Sequence, residues 1–218
     1  MHQFKNSTKA VPAHQHQNPD NSPGGWVADS SYVSASATVD VDSEVADTAS
    51  VLDNAQILRN SLVYARACVA GAAVIDKGSL IGDDAMIGDR VMVSESSVGG
   101  KVTITESAKL YYHSSVSGNA HVGDKAWLSA AHVAGDALIN GNADVKGTVR
   151  GNAKVGGNAR IGANAIIEGD AEAQGNAKIS GKVTLTHGIV TGTYNERAIE
   201  KNQALLSAIT QLDDAIGL

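Results

Sequence analysis

The chain has 218 residues, 43% of them hydrophobic but only 4% aromatic, with a single Phe. Its formal net charge of −6 and pI near 5.6 argue against a nucleic-acid partner held by phosphate neutralisation. No apolar run approaches membrane-spanning length and no signal-peptide segment opens the chain, so no membrane partner is expected. The expected location is the cytoplasm, or a particle assembled there.

Residues 1–24 are polar, rich in His, Gln, Asn and Pro, and without periodicity. Such a segment buries too little apolar surface to order itself. It reads as an extended arm that docks on a protein partner. His14-Gln15-His16 offers two imidazoles, but no third or fourth ligand is near in sequence, so a polar contact strand is expected and no metal site.

From Val27 a ladder begins. Val27, Val33, Val39, Val45, Val51, Ile57, Val63, Val69, Ile75, Ile81, Ile87 and Val93 stand six residues apart. Ser or Ala lies two residues before most of them, as at Ala37, Ser43, Ala49 and Ala55. A six-residue period is neither helical nor simply alternating. It signals a parallel β-helix in which each hexad supplies one short strand with its aliphatic residue inward, then a corner that admits only a small inward group.

After three frame shifts the ladder continues through Val98–Leu128, Val133–Val145 and Val149–Leu185, giving 28 hexads. Three hexads close one triangular turn, so about nine coils are expected, roughly 4.8 Å apart, in a prism on the order of 45 Å long. Each shift deletes one or two residues, and none inserts a loop. The scarcity of rings suits a narrow interior that Val, Ile and Ala fill. Recurrent Gly-Asn-Ala triplets, such as Gly141-Asn142-Ala143 and Gly157-Asn158-Ala159, supply residues that tolerate left-handed corners.

Side chains flanking each inward aliphatic point outward. Between about residues 52 and 92 these positions are unusually apolar: Leu52, Leu58, Leu62, Tyr64, Val74, Leu80, Met86 and Met92. Cyclic assignment puts Leu62, Tyr64 and Leu80 on one face, Leu52, Cys68 and Met86 on a second, and Leu58, Val74 and Met92 on the third. An apolar exterior of this extent marks an interface, and a homo-oligomer, a trimer of side-by-side prisms, is the natural closed solution. Cys68 is the only cysteine, which excludes an intrachain disulfide and suits a reducing compartment.

The solenoid is expected over 25–190. Over 195–216 the period changes: Ile199, Leu205, Leu206, Ile209, Leu212 and Ile216 recur at threes and fours, as in an amphipathic helix with Asn195 as N-cap. Such a helix either caps the open end of the coil or drives oligomerisation.

Four histidines lie in the body. Stacking arithmetic places His132 one coil above Ser115, with His113 at the preceding corner, so His113, Ser115, His132 and Tyr112 are the best candidates for one outer patch. His113 or His132 would be the general base if the chain is an enzyme, since that chemistry needs an imidazole within hydrogen-bond reach of a substrate proton. His113, His121 and His132 fall on different faces and do not converge as zinc ligands.

The hexad body resembles the left-handed β-helix superfamily of hexapeptide-repeat acyltransferases. Gly24-Gly25-Trp26-Val27, followed by Asn-Ala-x-Val repeats, is similar to the YdcK-like proteins, which carry the acyltransferase name by kinship. The resemblance implies a left-handed coil, a trimer, a C-terminal helix and, in the superfamily's enzymes, acetyl-CoA or a similar donor in the groove between prisms with a histidine base. Those enzymes commonly place that histidine beside an extruded loop, and this chain has none in its hexads. The reading favoured here is therefore a non-catalytic structural or interaction protein without a cofactor, a rigid rod docking in a larger, phage-like assembly. The alternative is a CoA-dependent acyltransferase.

Overall fold

The structure, a computed structural model, describes residues 1–197; the body of the helix expected over 195–216 lies outside them. The chain is an all-β parallel solenoid of about nine turns. Its short strands stack into three parallel faces. Face I climbs from Pro23–Ala28 through Glu44–Val45, Leu62–Val63 and Leu80–Ile81 to Thr184–Leu185. Face II runs from Tyr32–Val33 to Ile189–Val190, and face III from Thr38–Val39 to Thr193–Tyr194.

Every aliphatic of the expected ladder is buried except Val33, which is half-buried beside the first turn. After Pro23–Ala28 the strands of the three faces are two or three residues long, because alternation allows one inward side chain before the corner. The ladder also passes its expected end near 190. Leu185 is followed by Val190 and Tyr194, both packed on the core, with Thr193–Tyr194 pairing Lys178–Ile179. The spacing there slips to five and then four residues, which removes these strands from any six-residue count.

Corners are held by side chains from the adjacent turn. Asp47, Asp53, Asp83, Asp89 and Asp124 all have φ of 55–58°. Each carboxylate accepts the backbone N–H of the matching corner one turn on, at Ala65, Gly71, Gly100, Glu106 and Gly141, over 2.7–3.0 Å. Aspartate suits the site because it tolerates the left-handed region and its short acceptor reaches the neighbouring turn. Later corners substitute an amide ladder, Asn142 to Asn158 to Asn176, at 3.0 and 3.2 Å.

All three frame shifts fall on one edge of the prism, between faces III and I. Three full-length corners there use two left-handed residues, Arg59-Asn60, Lys77-Gly78 and Tyr112-His113. The shortened ones use Glu95 or Ala130 alone, and the shortest turns at Gly147. A Cβ at Gly147 would lie 2.3 Å from Ala165 O, so only glycine fits.

The N-terminal segment is seated on the chain's own first turns. Strands β1 (His2–Gln3) and β2 (Ala10–Val11) pair antiparallel. Strand β3 (Ala13–Gln17) pairs antiparallel with β4 (Pro23–Ala28), adding a strand to the open end of face I. Phe4, 2% exposed, is buried in one cluster with Ala28, Ala46 and Leu62. His2 stacks on Trp26 with centroids 4.6 Å apart and donates to Glu44 Oε1 at 3.1 Å, while Lys5 N donates to Glu44 Oε2 at 2.8 Å. The arm thus packs on the chain's own first turns. The polar composition concealed it because one Phe and a few hydrogen bonds carry the attachment. No helix among the described residues is long and apolar enough to cross a membrane.

Candidate functional site

Edge III–I carries a recess whose origin is the first deletion. The short corner at Glu95 lies between the longer corners Lys77-Gly78 and Tyr112-His113, leaving a cavity of about 250 Å³. His113, Glu95, Lys77, Ser96 and Ser97 are among its lining residues. Lys77 Nζ is 3.5 Å from Glu95 Oε1, and the His113 backbone N–H donates to Glu95 O at 2.7 Å. The left-handed conformation of His113, φ 62°, sets its imidazole at the rim, where it is exposed.

The floor of this edge is a column of buried corner serines, Ser43, Ser61, Ser79, Ser96 and Ser114. Ser43, Ser79 and Ser114 each accept, through Oγ, a backbone N–H of the next turn at 3.2 Å. These hydroxyls are absorbed in corner bonding, which makes them poor nucleophiles. A buried hydroxyl already bonded has little to gain by leaving its partner.

The structure divides the expected histidine patch. His132 and Ser115 pair in register on face I, as the stacking arithmetic requires, but His132 lines open face rather than the recess. Tyr112, beside His113, turns to a different cleft with Trp127. His121 sits on face II between Thr103 and Leu138. In the arm, His14 Nδ1 donates to Asp29 at 2.8 Å, whereas His16 is buried and donates from Nε2 to Ala37 O at 3.0 Å. The two imidazoles are thus engaged separately, and among the described residues no group of three or more His, Cys, Asp or Glu is arranged to hold a metal ion.

The apolar belt keeps its expected faces: Leu62 pairs Leu80, Cys68 pairs Met86, and Val74 pairs Met92. Its exposure is uneven. Leu62 is 3% exposed, covered by the arm, and Tyr64 packs on the same cluster. Leu52, Leu58 and Met92 are half-buried, and Tyr111 Oη donates to Met92 Sδ at 2.8 Å. Leu80 and Met86 are 44% and 55% exposed in consecutive strands that flank the edge between faces I and II. Burial pushes the Cys68 thiol above its usual pKa, with the charge of Asp53 adding to the effect.

Sequence reading missed a second cluster on face III. Tyr111, Tyr112, Trp127 and Lys109 meet there: the Tyr111 and Trp127 centroids are 5.3 Å apart, and Lys109 Nζ is 5.7 Å from the Trp127 ring. The signal was available, since Lys109 and Trp127 stand one turn apart in the same column.

No protein-family model matches the sequence, and no curated protein matches it.

Proposed function

We propose that the chain is a non-catalytic structural protein, a rigid β-helical rod that associates with copies of itself and docks within a larger assembly. The exposure of Leu80 and Met86 on adjoining faces carries this reading, because two large apolar side chains flanking one edge favour burial against another prism. A trimer closes such a contact with each protomer's edge used once. Flat parallel faces joined by short corners resist bending and repeat the same surface along their length. The seated arm closes one end, so a partner reached through it meets a folded cap rather than a free strand. Light scattering should give a trimer at micromolar concentration, converted to monomer by Leu80→Glu with Met86→Glu. A monomeric parent protein would refute the reading.

A second reading rests on the recess at edge III–I. If the chain is the acyltransferase that its hexads resemble, His113 is the better general base, because it borders a cavity while His132 stands on an open face. Saturable binding of acetyl-CoA by calorimetry, lost in His113→Ala and kept in His132→Ala, would establish it over the rod.

A further inference from the structure

Face III holds a band whose chemistry the rod reading leaves unused. Trp127, Tyr112, Asn142, Asp144 and Lys146 border a cleft of about 510 Å³. Asp144 and Lys146 also border the next cleft, of about 370 Å³, with Arg160 and Lys178. The two clefts therefore adjoin at Asp144 and Lys146, and together they form a groove on successive strands long enough for an extended ligand to occupy both.

Three observations describe what would fill it. Trp127 and Tyr112 are 44% and 61% exposed. Trp127 lies between Lys109 on one neighbouring strand and Asp144 on the other. Lys109 and Tyr111 support one side of the indole, leaving the Asp144 side to the groove. An exposed indole so supported is a platform for a flat ligand face bearing C–H groups.

Next, the cations of the groove form no ion pair among the described residues, although Asp144 is the register neighbour of Arg160. Elsewhere on the solenoid Arg66, Arg150 and Lys154 pair with Asp84, Glu168 and Glu172 of the following turn. Among the described residues no carboxylate oxygen lies within 4.0 Å of a side-chain nitrogen of Lys146, Arg160 or Lys178. Arg160 and Lys178 are moreover direct cross-strand neighbours, and like charges so placed repel. An anionic ligand would relieve that repulsion.

Finally, Asp144 Oδ1 is shielded from solvent and is the one such side-chain atom without a hydrogen-bond partner among the described residues. A carboxylate oxygen left so gains by turning toward a donor, and Asp144 borders the cleft from which a ligand hydroxyl would supply one. The ligand must thus combine a stacking face, hydroxyl donors and anionic groups along an extended chain. Strands about 4.8 Å apart offer one contact row for a length comparable with a single pyranose unit.

The geometry points to an acidic saccharide chain, built of uronic-acid or sulfated sugars, lying along this groove with one ring on Trp127, a hydroxyl on Asp144 and its anions on Lys146, Arg160 and Lys178. A polyphosphate backbone suits the groove less well, because it offers neither a flat C–H face to Trp127 nor a hydroxyl donor to Asp144.

The test uses the full chain in calorimetry with hexasaccharides of polygalacturonate, hyaluronan and heparin, with cellohexaose as the neutral control and a thymidine oligonucleotide as the phosphate control. At least one acidic hexasaccharide should bind saturably. Trp127→Ala and the pair Arg160→Glu with Lys178→Glu should each weaken that binding by at least about tenfold, a clear loss of binding energy. All these positions are at the surface, and unchanged melting of the variants separates lost binding from lost folding. No saturable binding of any acidic hexasaccharide would overturn the proposal. So would equal affinity for cellohexaose, tighter binding of the oligonucleotide, or affinity undiminished in both variants.

Discussion

Asn18 Oδ1 accepts the backbone N–H of Val39 at 2.9 Å, so a side chain satisfies the first strand of face III, which no other strand covers. His16 does the reciprocal service for Ala37 O, and β3 covers the matching edge of face I. An open solenoid end is a template for adventitious pairing, and buried backbone groups require partners. Asn18→Ala should leave the buried Val39 N–H unsatisfied and cost about 1–3 kcal/mol. An unchanged urea midpoint, or unchanged hydrogen exchange at Val39, would refute the capping role.

Phe4 tests the rest of the arm. Its ring is buried with Ala28, Ala46 and Leu62, so Phe4→Ala should cost about 3 kcal/mol, much of it at this end of the molecule. Limited proteolysis should then cut within residues 1–24 while a stable solenoid fragment survives. Protection of the arm equal to that of the parent protein would mean that the hydrogen bonds of His2 and Lys5 suffice to hold it.

The interior offers a stiffer test. Ile87 is 1% exposed in the continuous core, stacked between Val69 and Ile104. The narrow prism cannot collapse around a lost side chain without disturbing the turns on either side. Ile87→Ala should therefore cost about 2–5 kcal/mol, measured by chemical denaturation. A loss below about 1 kcal/mol would mean that the strands yield locally.

The solenoid was legible because a period of six encodes one inward residue and one corner, from Val27 to Leu185. Where the period failed, so did the reading. Val190 and Tyr194 continue the core at irregular spacing. The arm has no period, and its anchor Phe4 reaches partners 24 to 58 residues away that share no sequence pattern with it. Leu62 accordingly looked like an external contact, although the arm covers it. Face assignment was recoverable, as the pairing of Leu62 with Leu80 shows. The same arithmetic places all three deletions on edge III–I, and hence the recess beside His113. Side-chain direction was not recoverable: His113 and Tyr112 are adjacent in sequence yet serve different clefts.

Glu106 and Asp124 occupy matching corners one turn apart and divide their proton affinity unequally. The Gly141 backbone N–H holds the Asp124 carboxyl below its usual pKa, helped by its hydrogen bond with Glu106. That same bond with Asp124 is the leading cause that raises Glu106, with desolvation and the charges of Asp124 and Asp89 adding to it. The raised group stabilises the fold when protonated, a contribution present below its unfolded pKa and lost as pH rises through its folded one. Asp124 acts oppositely, stabilising above its unfolded pKa and losing that contribution as pH falls through its folded one. Once pH exceeds the raised Glu106 pKa both carboxylates are ionised and repel. Glu106→Gln removes that repulsion and keeps a donor for Asp124. The variant's melting temperature should exceed the parent's by about 1–3 °C at neutral pH, a small effect because both groups are exposed. The difference should shrink as pH falls through the raised Glu106 pKa, where Glu106 itself becomes protonated. Melting curves across this range check the sign. An increment independent of pH, or a destabilised variant at neutral pH, would show that the pair is not coupled through the shared proton.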